Sequence, residues 1–166
     1  MKKSKTPAAT PPVELDHRLY ILMRNDLPSM NPGKAMAQAA HASNQFVAEY
    51  GDTPEYMEWI GVNPHIQSRR WFGTTIVVAV NKMDLEMALM EARGHKIPSG
   101  EVYDPTYPYI VNDEIRQLID KSTITAPTIY KDDKAVMFRN ELTCGYIFLV
   151  HDTAFKFIVS DLPLHP

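Results

Sequence analysis

The sequence predicts a single α/β domain, a mixed four- to five-stranded sheet flanked by helices. Three observations carry this. Residues 74–80 (Thr-Thr-Ile-Val-Val-Ala-Val) are β-branched and almost uniformly apolar, as in a central strand covered on both faces. Residues 32–50 follow a Pro- and Gly-containing turn and repeat small and polar residues at helical spacing. Strand, helix and strand then alternate twice, the order that packs helices onto a sheet. The 166 residues suit one core, and 45% hydrophobic with 22% charged residues is ordinary for a globular domain.

Each element has a local cause. Residues 19–23 are an apolar run between Arg18 and Arg24, expected to form a buried first strand. Residues 25–33 turn the chain. Asn31 can cap the helix that follows, Pro32 fits its first position, and Gly51 stops it. Thr53-Pro54-Glu55 begins a second helix that Pro64 must end. After the 74–80 strand, Asp84 is expected to cap a helix over 85–93, whose Leu85, Ala88, Leu89 and Ala92 share a face. Residues 97–103 return as a strand. The segment 107–137 reads as an excursion from the domain, with a short helix at 112–121. Residues 142–150 and 155–159 are expected as two closing strands, the last near an edge because Phe155, Phe157 and Val159 alternate with Lys156, Ile158 and Ser160.

Composition excludes several classes. Residues 1–16 read as a disordered basic, Pro-rich arm: the first twelve hold three lysines and three prolines and lack the apolar region of a signal peptide. No apolar run reaches the ~18 residues of a membrane span. Cys144 is the only cysteine, so an internal disulfide is excluded and a reducing, cytoplasmic setting is expected. Net charge is −3, so any nucleic-acid site must be a local patch. The six histidines show no metal-ligand spacing, and no GxGxxG, GxxxxGK[ST] or GxSxG motif occurs. No metal or cofactor is therefore expected. A Cys144–His41–Asp104 triad can be written, but a cysteine inside an apolar strand is ordinarily inert.

The informative stretch is 33–45, Gly-Lys-Ala-Met-Ala-Gln-Ala-Ala-His-Ala-Ser-Asn-Gln. On a helix, Lys34, Gln38, His41 and Gln45 form one stripe, with Ala35, Ala39, Ala42 and Phe46 expected on the opposite side against a sheet. Lys34 would stand in the first helical turn, where free N–H groups already favour an anion. Asp104 and Thr106 leave the 97–103 strand. Strand carboxyl ends and helix amino ends share one rim in such folds, so Lys34 and Asp104 are expected to face each other.

Arg24-Asn25-Asp26-Leu27, Met30 and Gly33-Lys34-…-Gln38-…-His41-Ala42 together resemble the opening signature of the type 2 peptidyl-tRNA hydrolases, R-x-D-L-x-M-x-x-G-K-x-x-A-Q-x-x-H-A. The resemblance implies a small enzyme with a mixed sheet flanked by helices, cleaving the ester between peptide and tRNA without metal or cofactor. Position by position it implies Lys34, Gln38 and His41 in the first motif and Asp104 as the aspartate of a second, D-A-G-x-T. Thr143 would match the threonine opening the last core strand. The sequence departs by one extra residue between Leu27 and Met30, and by Asp104-Pro105-Thr106-Tyr107 in place of the second motif.

On this reading Asp104 orients or deprotonates a water, Lys34 with Gln38 holds the oxyanion or a phosphate, and Thr106 or Thr143 positions water or ribose. His41 either orients Gln38 or is a buried, hydrogen-bonded histidine. Arg69, Arg70, Lys82, Arg93 and Lys96 are candidates for contact with the tRNA backbone. Two alternatives stand beside the peptidyl-tRNA hydrolase: a non-catalytic module binding an RNA end or a protein, and a hydrolase or transferase of another small acyl or amide substrate. A second copy could pair through 155–159 or the aromatic stretch 56–72.

Overall fold

The computed structural model describes residues 16–61, 72–111, 124–131, 134–150 and 154–166. Residues 1–15 of the expected arm at 1–16, the helix at 112–121, Arg69 and Arg70 lie outside these. Strand β1 (His17–Arg24) leads to helix α1 (Pro32–Tyr50) and the short α2 (Pro54–Trp59). Strand β2 (Thr74–Val80), helix α3 (Lys82–Gly94) and strand β3 (Ser99–Val111) follow. Strands β4 (Ile124–Lys131) and β5 (Lys134–Val150), a 3-10 turn (Ala154–Lys156) and a one-turn helix α4 (Phe157–Ser160) complete the described chain.

The sheet runs β2-β1-β5-β3, with β1 and β2 parallel and β5 antiparallel to both β1 and β3. It is the predicted mixed α/β architecture. Alternate residues of β1 serve two cores. Tyr20 and Leu22 pack with α3 through Leu85, Ala88, Leu89 and Ala92. Leu19, Ile21 and Met23 pack with α1 through Ala35, Ala42 and Phe46. Phe46 is fully buried and touches the rings of Tyr50, Tyr56, Trp59, Tyr146 and Phe148. Gly100 is required where β3 passes the Tyr146 ring, since a Cβ there would lie 2.5 Å from it.

Local chemistry sets the helix starts. Asn31 caps α1, its side chain accepting from Lys34 N at 3.0 Å, with Pro32 in the first turn. Helix α3 starts earlier than expected, because Asn81 rather than Asp84 is the cap and accepts from Asp84 N at 2.9 Å. Its end places Lys96 at φ 57°, with Ile97 N donating to Ala92 O, the left-handed cap usually given to glycine.

Four expectations are corrected. Strand β2 is an edge rather than a centre: its residues reach both cores, but its outer side is paired to the C-terminal segment by Ala79 N to Pro163 O and His165 N to Val77 O. Residues 155–159 are not a strand. Phe155, Ile158, Val159 and Leu162 pack on one core, a helical i, i+3, i+4, i+7 spacing that overrides the short alternation. The dimer suggested through that strand therefore loses its basis. Strand β3 does not stop at 103 but continues to Val111 past irregularities at Val102/Tyr103 and Asp104/Tyr107. The excursion is in its described parts a continuation of the sheet, with β4 and the outer half of β3 flanking residues 134–139 of β5.

Candidate active site

Four chain segments meet at the rim where β1 ends and α1 begins. The two rows of α1 are not opposite: at about 100° per residue their centres differ by roughly 100°. Gln38 falls on the border between them and is buried, 4% exposed. An amide there must find partners inside the protein, and it does. Thr143 Oγ1, fully buried on β5, donates to Gln38 Oε1 at 2.7 Å. Gln38 Nε2 donates to Asp104 Oδ2 at 2.8 Å. The Cys144 thiol donates to Gln38 O at 3.4 Å, and burial pushes that thiol up to about 12, which removes the thiolate chemistry of the written triad.

Asp104 stands at the irregularity in β3. Its Oδ1 accepts from both Thr106 N at 2.8 Å and Thr106 Oγ1 at 3.0 Å. Of the about four acceptor positions of a carboxylate, these two bonds and that from Gln38 take three among the described residues. Lys34, one turn before Gln38, is half-buried. Burial lowers its ammonium below the ordinary lysine range, and the charge of Asp104 opposes that shift without cancelling it. The two charges do not close into an ion pair; Lys34 Nζ instead lies 5.1 Å from the centre of the Tyr107 ring. Lys34, Gln38, Asp104, Thr106 and Thr143 are thus neighbours, as the shared rim requires.

The other candidates are not hydrogen-bonded into this network among the described residues. His41 is exposed, contrary to the buried alternative, and the Gln38 amide it was expected to orient is already held at both ends. Lys82 begins α3 near the same rim, its backbone N–H donating to Asp26 Oδ2 at 3.2 Å. Arg93 pairs with Glu101 at 2.6 Å and Lys96 sits in the turn after α3. Both stand at the opposite end of α3 from Lys82.

A second network, absent from the sequence reading, braces the site from behind. Arg24 bonds Asp26 through Nε at 2.8 Å and Nη2 at 3.1 Å, while its Nη1 donates to Glu141 Oε1 at 2.6 Å and Leu142 O at 2.9 Å. Arg24 and Glu141 side chains are 7% and 6% exposed. Losing one partner of such a pair costs on the order of 3–5 kcal/mol. Tyr109 Oη donates to the other oxygen, Glu141 Oε2, at 2.8 Å, and Arg139 approaches it at 3.1 Å. Burial and this bond raise the Tyr109 phenol. Glu141 is the register partner of Asp104, so this brace sits directly across the strand pair from the candidate carboxylate. The sequence signal was a charge at the end of one apolar run and another at the head of a second.

The described residues contain no group of three His, Cys, Asp or Glu side chains placed to hold a metal ion, and no helix long and apolar enough to cross a membrane. The family model described as peptidyl-tRNA hydrolase PTH2 matches residues 17–136. Comparison with curated protein sequences gave no match. Among solved structures, a protein of unknown function from Agrobacterium tumefaciens is similar at 13% identity and a TM-score of 0.48, covering 91% of this chain and 98% of its own.

Proposed function

The chain belongs to the peptidyl-tRNA hydrolase PTH2 family, and from that membership we propose that it cleaves the ester bond of peptidyl-tRNA, releasing peptide and tRNA. The observation that supports this most is the Thr143–Gln38–Asp104 chain of hydrogen bonds, with the Lys34 ammonium beside the carboxylate. An activated ester asks for a positioned water, a proton acceptor and a donor to the oxyanion. Asp104 takes a proton from the water as its oxygen attacks the ester carbonyl. Lys34 carries the negative charge that develops on the carbonyl oxygen. Collapse expels the ribose oxygen, which takes the proton back from Asp104. Gln38, fixed by Thr143, keeps the carboxylate aimed, and Thr106 holds its second oxygen. No step calls on a metal, and His41 has no part.

The test is hydrolysis of peptidyl-tRNA by the purified chain and two variants. General-base loss predicts that Asp104→Ala lowers kcat by roughly 10²–10⁴-fold. Loss of an oxyanion donor predicts roughly 10²–10³-fold for Lys34→Ala. Full activity in both variants sinks the assignment. The non-catalytic alternative is favoured by one observation, the departure of Asp104-Pro105-Thr106 from the family's second motif. It predicts binding of deacylated tRNA with no turnover by the unaltered chain.

A further inference from the structure

The second motif departs from the family pattern where the structure places an aromatic ring under the site's cation. Pairing of β3 with β5 lapses between Asp104 and Tyr107 and resumes with Tyr107 opposite Arg139. The lapse lets Thr106 fold back onto Asp104 and sends Tyr107 inward, where it is fully buried. The Lys34 ammonium lies 5.1 Å from the ring centre, within the ~6 Å at which a cation is attracted to an aromatic face.

The ring is packed on its far side. Its edge meets Tyr109 at 5.6 Å and 64°, and Tyr109 is bonded to Glu141, which is bonded to Arg24. The next residue is pinned by Ser29 Oγ donating to Pro108 O at 3.0 Å. Among the described residues the Tyr107 hydroxyl has no hydrogen-bond partner, and the Ser29 hydroxyl near it donates to Pro108 O. It is the face of the ring, not its hydroxyl, that the ammonium meets.

We propose that Tyr107 is a positioning residue: its ring face holds the Lys34 ammonium beside Asp104 while leaving the N–H groups free for an anionic oxygen. An ion pair would also hold the ammonium, but it would occupy at least one of those donors and offset the charge. A quadrupole attracts the charge without accepting a linear hydrogen bond. That the anionic oxygen belongs to a reacting ester rests on the function proposed above; the ring–ammonium contact does not. The charge facing Lys34 is Asp104 on β3; Gln38 and Asn31 on α1 are neutral, and Arg24 on β1 and Glu141 on β5 stand behind the ring.

The test is the titration of Lys34, read by NMR from its Cε in the full chain labelled with 13C-lysine and assigned with Lys34→Arg. Tyr107→Phe keeps the face and leaves the titration in place. Tyr107→Leu, or increasingly fluorinated phenylalanines at position 107 that keep the shape but erase the negative face, move it to lower pH. If Tyr107→Leu does not fold, the fluorinated series alone decides. A titration that stays put or moves upward across that series overturns the proposal, because the ring then only excludes water. In the hydrolysis assay the same variants shift the alkaline limb of kcat to lower pH and lose roughly two- to thirtyfold near it, with Tyr107→Phe unaffected. Absence of hydrolysis by the unaltered chain refutes the proposed function, while the titration still judges Tyr107.

Discussion

Replacing Thr143 by Val isolates the hydroxyl on which the site's geometry depends. Val has nearly the shape of Thr, and Thr143 is fully buried, so packing changes little while Gln38 Oε1 loses its 2.7 Å donor. Orphaning a buried acceptor costs about 1–3 kcal/mol. For a domain of this size each kcal/mol lowers Tm by about 2–4 °C, so the expected fall is roughly 2–12 °C. The amide also loses the contact that fixes which end faces Asp104, and a misplaced orienting group lowers kcat by about tenfold or more. Thermal unfolding followed by circular dichroism and peptidyl-tRNA hydrolysis measure the two effects, with Thr143→Ser restoring both. A Thr143→Val variant with unaltered Tm and kcat refutes the reasoning, since the hydroxyl would then carry neither stability nor alignment.

Three further outcomes are expected. Burial opposes ionisation of Asp26, but the Arg24 bonds and the Lys82 N–H outweigh it and lower its pKa. Its contribution is therefore complete above the unfolded value near ~3.9 and lost as pH falls through the lower folded value. Asp26→Asn should flatten the acid limb of a Tm-versus-pH curve. Lys96→Gly relieves a left-handed backbone and should stabilise by about 1 kcal/mol, seen as a Tm rise of roughly 2–4 °C. Cys144, its thiol pushed up to about 12, should resist iodoacetamide at pH 8 in the folded chain and react once the chain is unfolded in urea.

What the sequence made legible was mostly local. Asn31 and Pro32 announced the start of α1, and the Leu85-Ala88-Leu89-Ala92 face announced α3. Lys34, Gln38 and Asp104 could be brought to one rim because strand ends and helix starts obey a general topological rule. What stayed hidden depended on distant partners. Nothing near Arg24 names Glu141 as its buried counter-ion, 117 residues away. The 74–80 strand reads as central because both its faces are apolar, and its edge place follows only from the strand order, with the C-terminal segment covering its outer side. Residues 155–159 alternate too briefly to separate a period of two from 3.6, and burial of the adjacent Ile158 and Val159 decides for the helix. His41 matched a motif, but it lies on the outward margin of α1 and is exposed.

The most direct measurement is a double-mutant cycle on single-turnover cleavage of peptidyl-tRNA, comparing the unaltered chain with Lys34→Ala, Asp104→Ala and the pair. If ammonium and carboxylate serve one transition state, the double variant is barely slower than the worse single one. Losses that simply multiply would mean that the two groups act apart, and the single site built here from Lys34 and Asp104 would be contradicted.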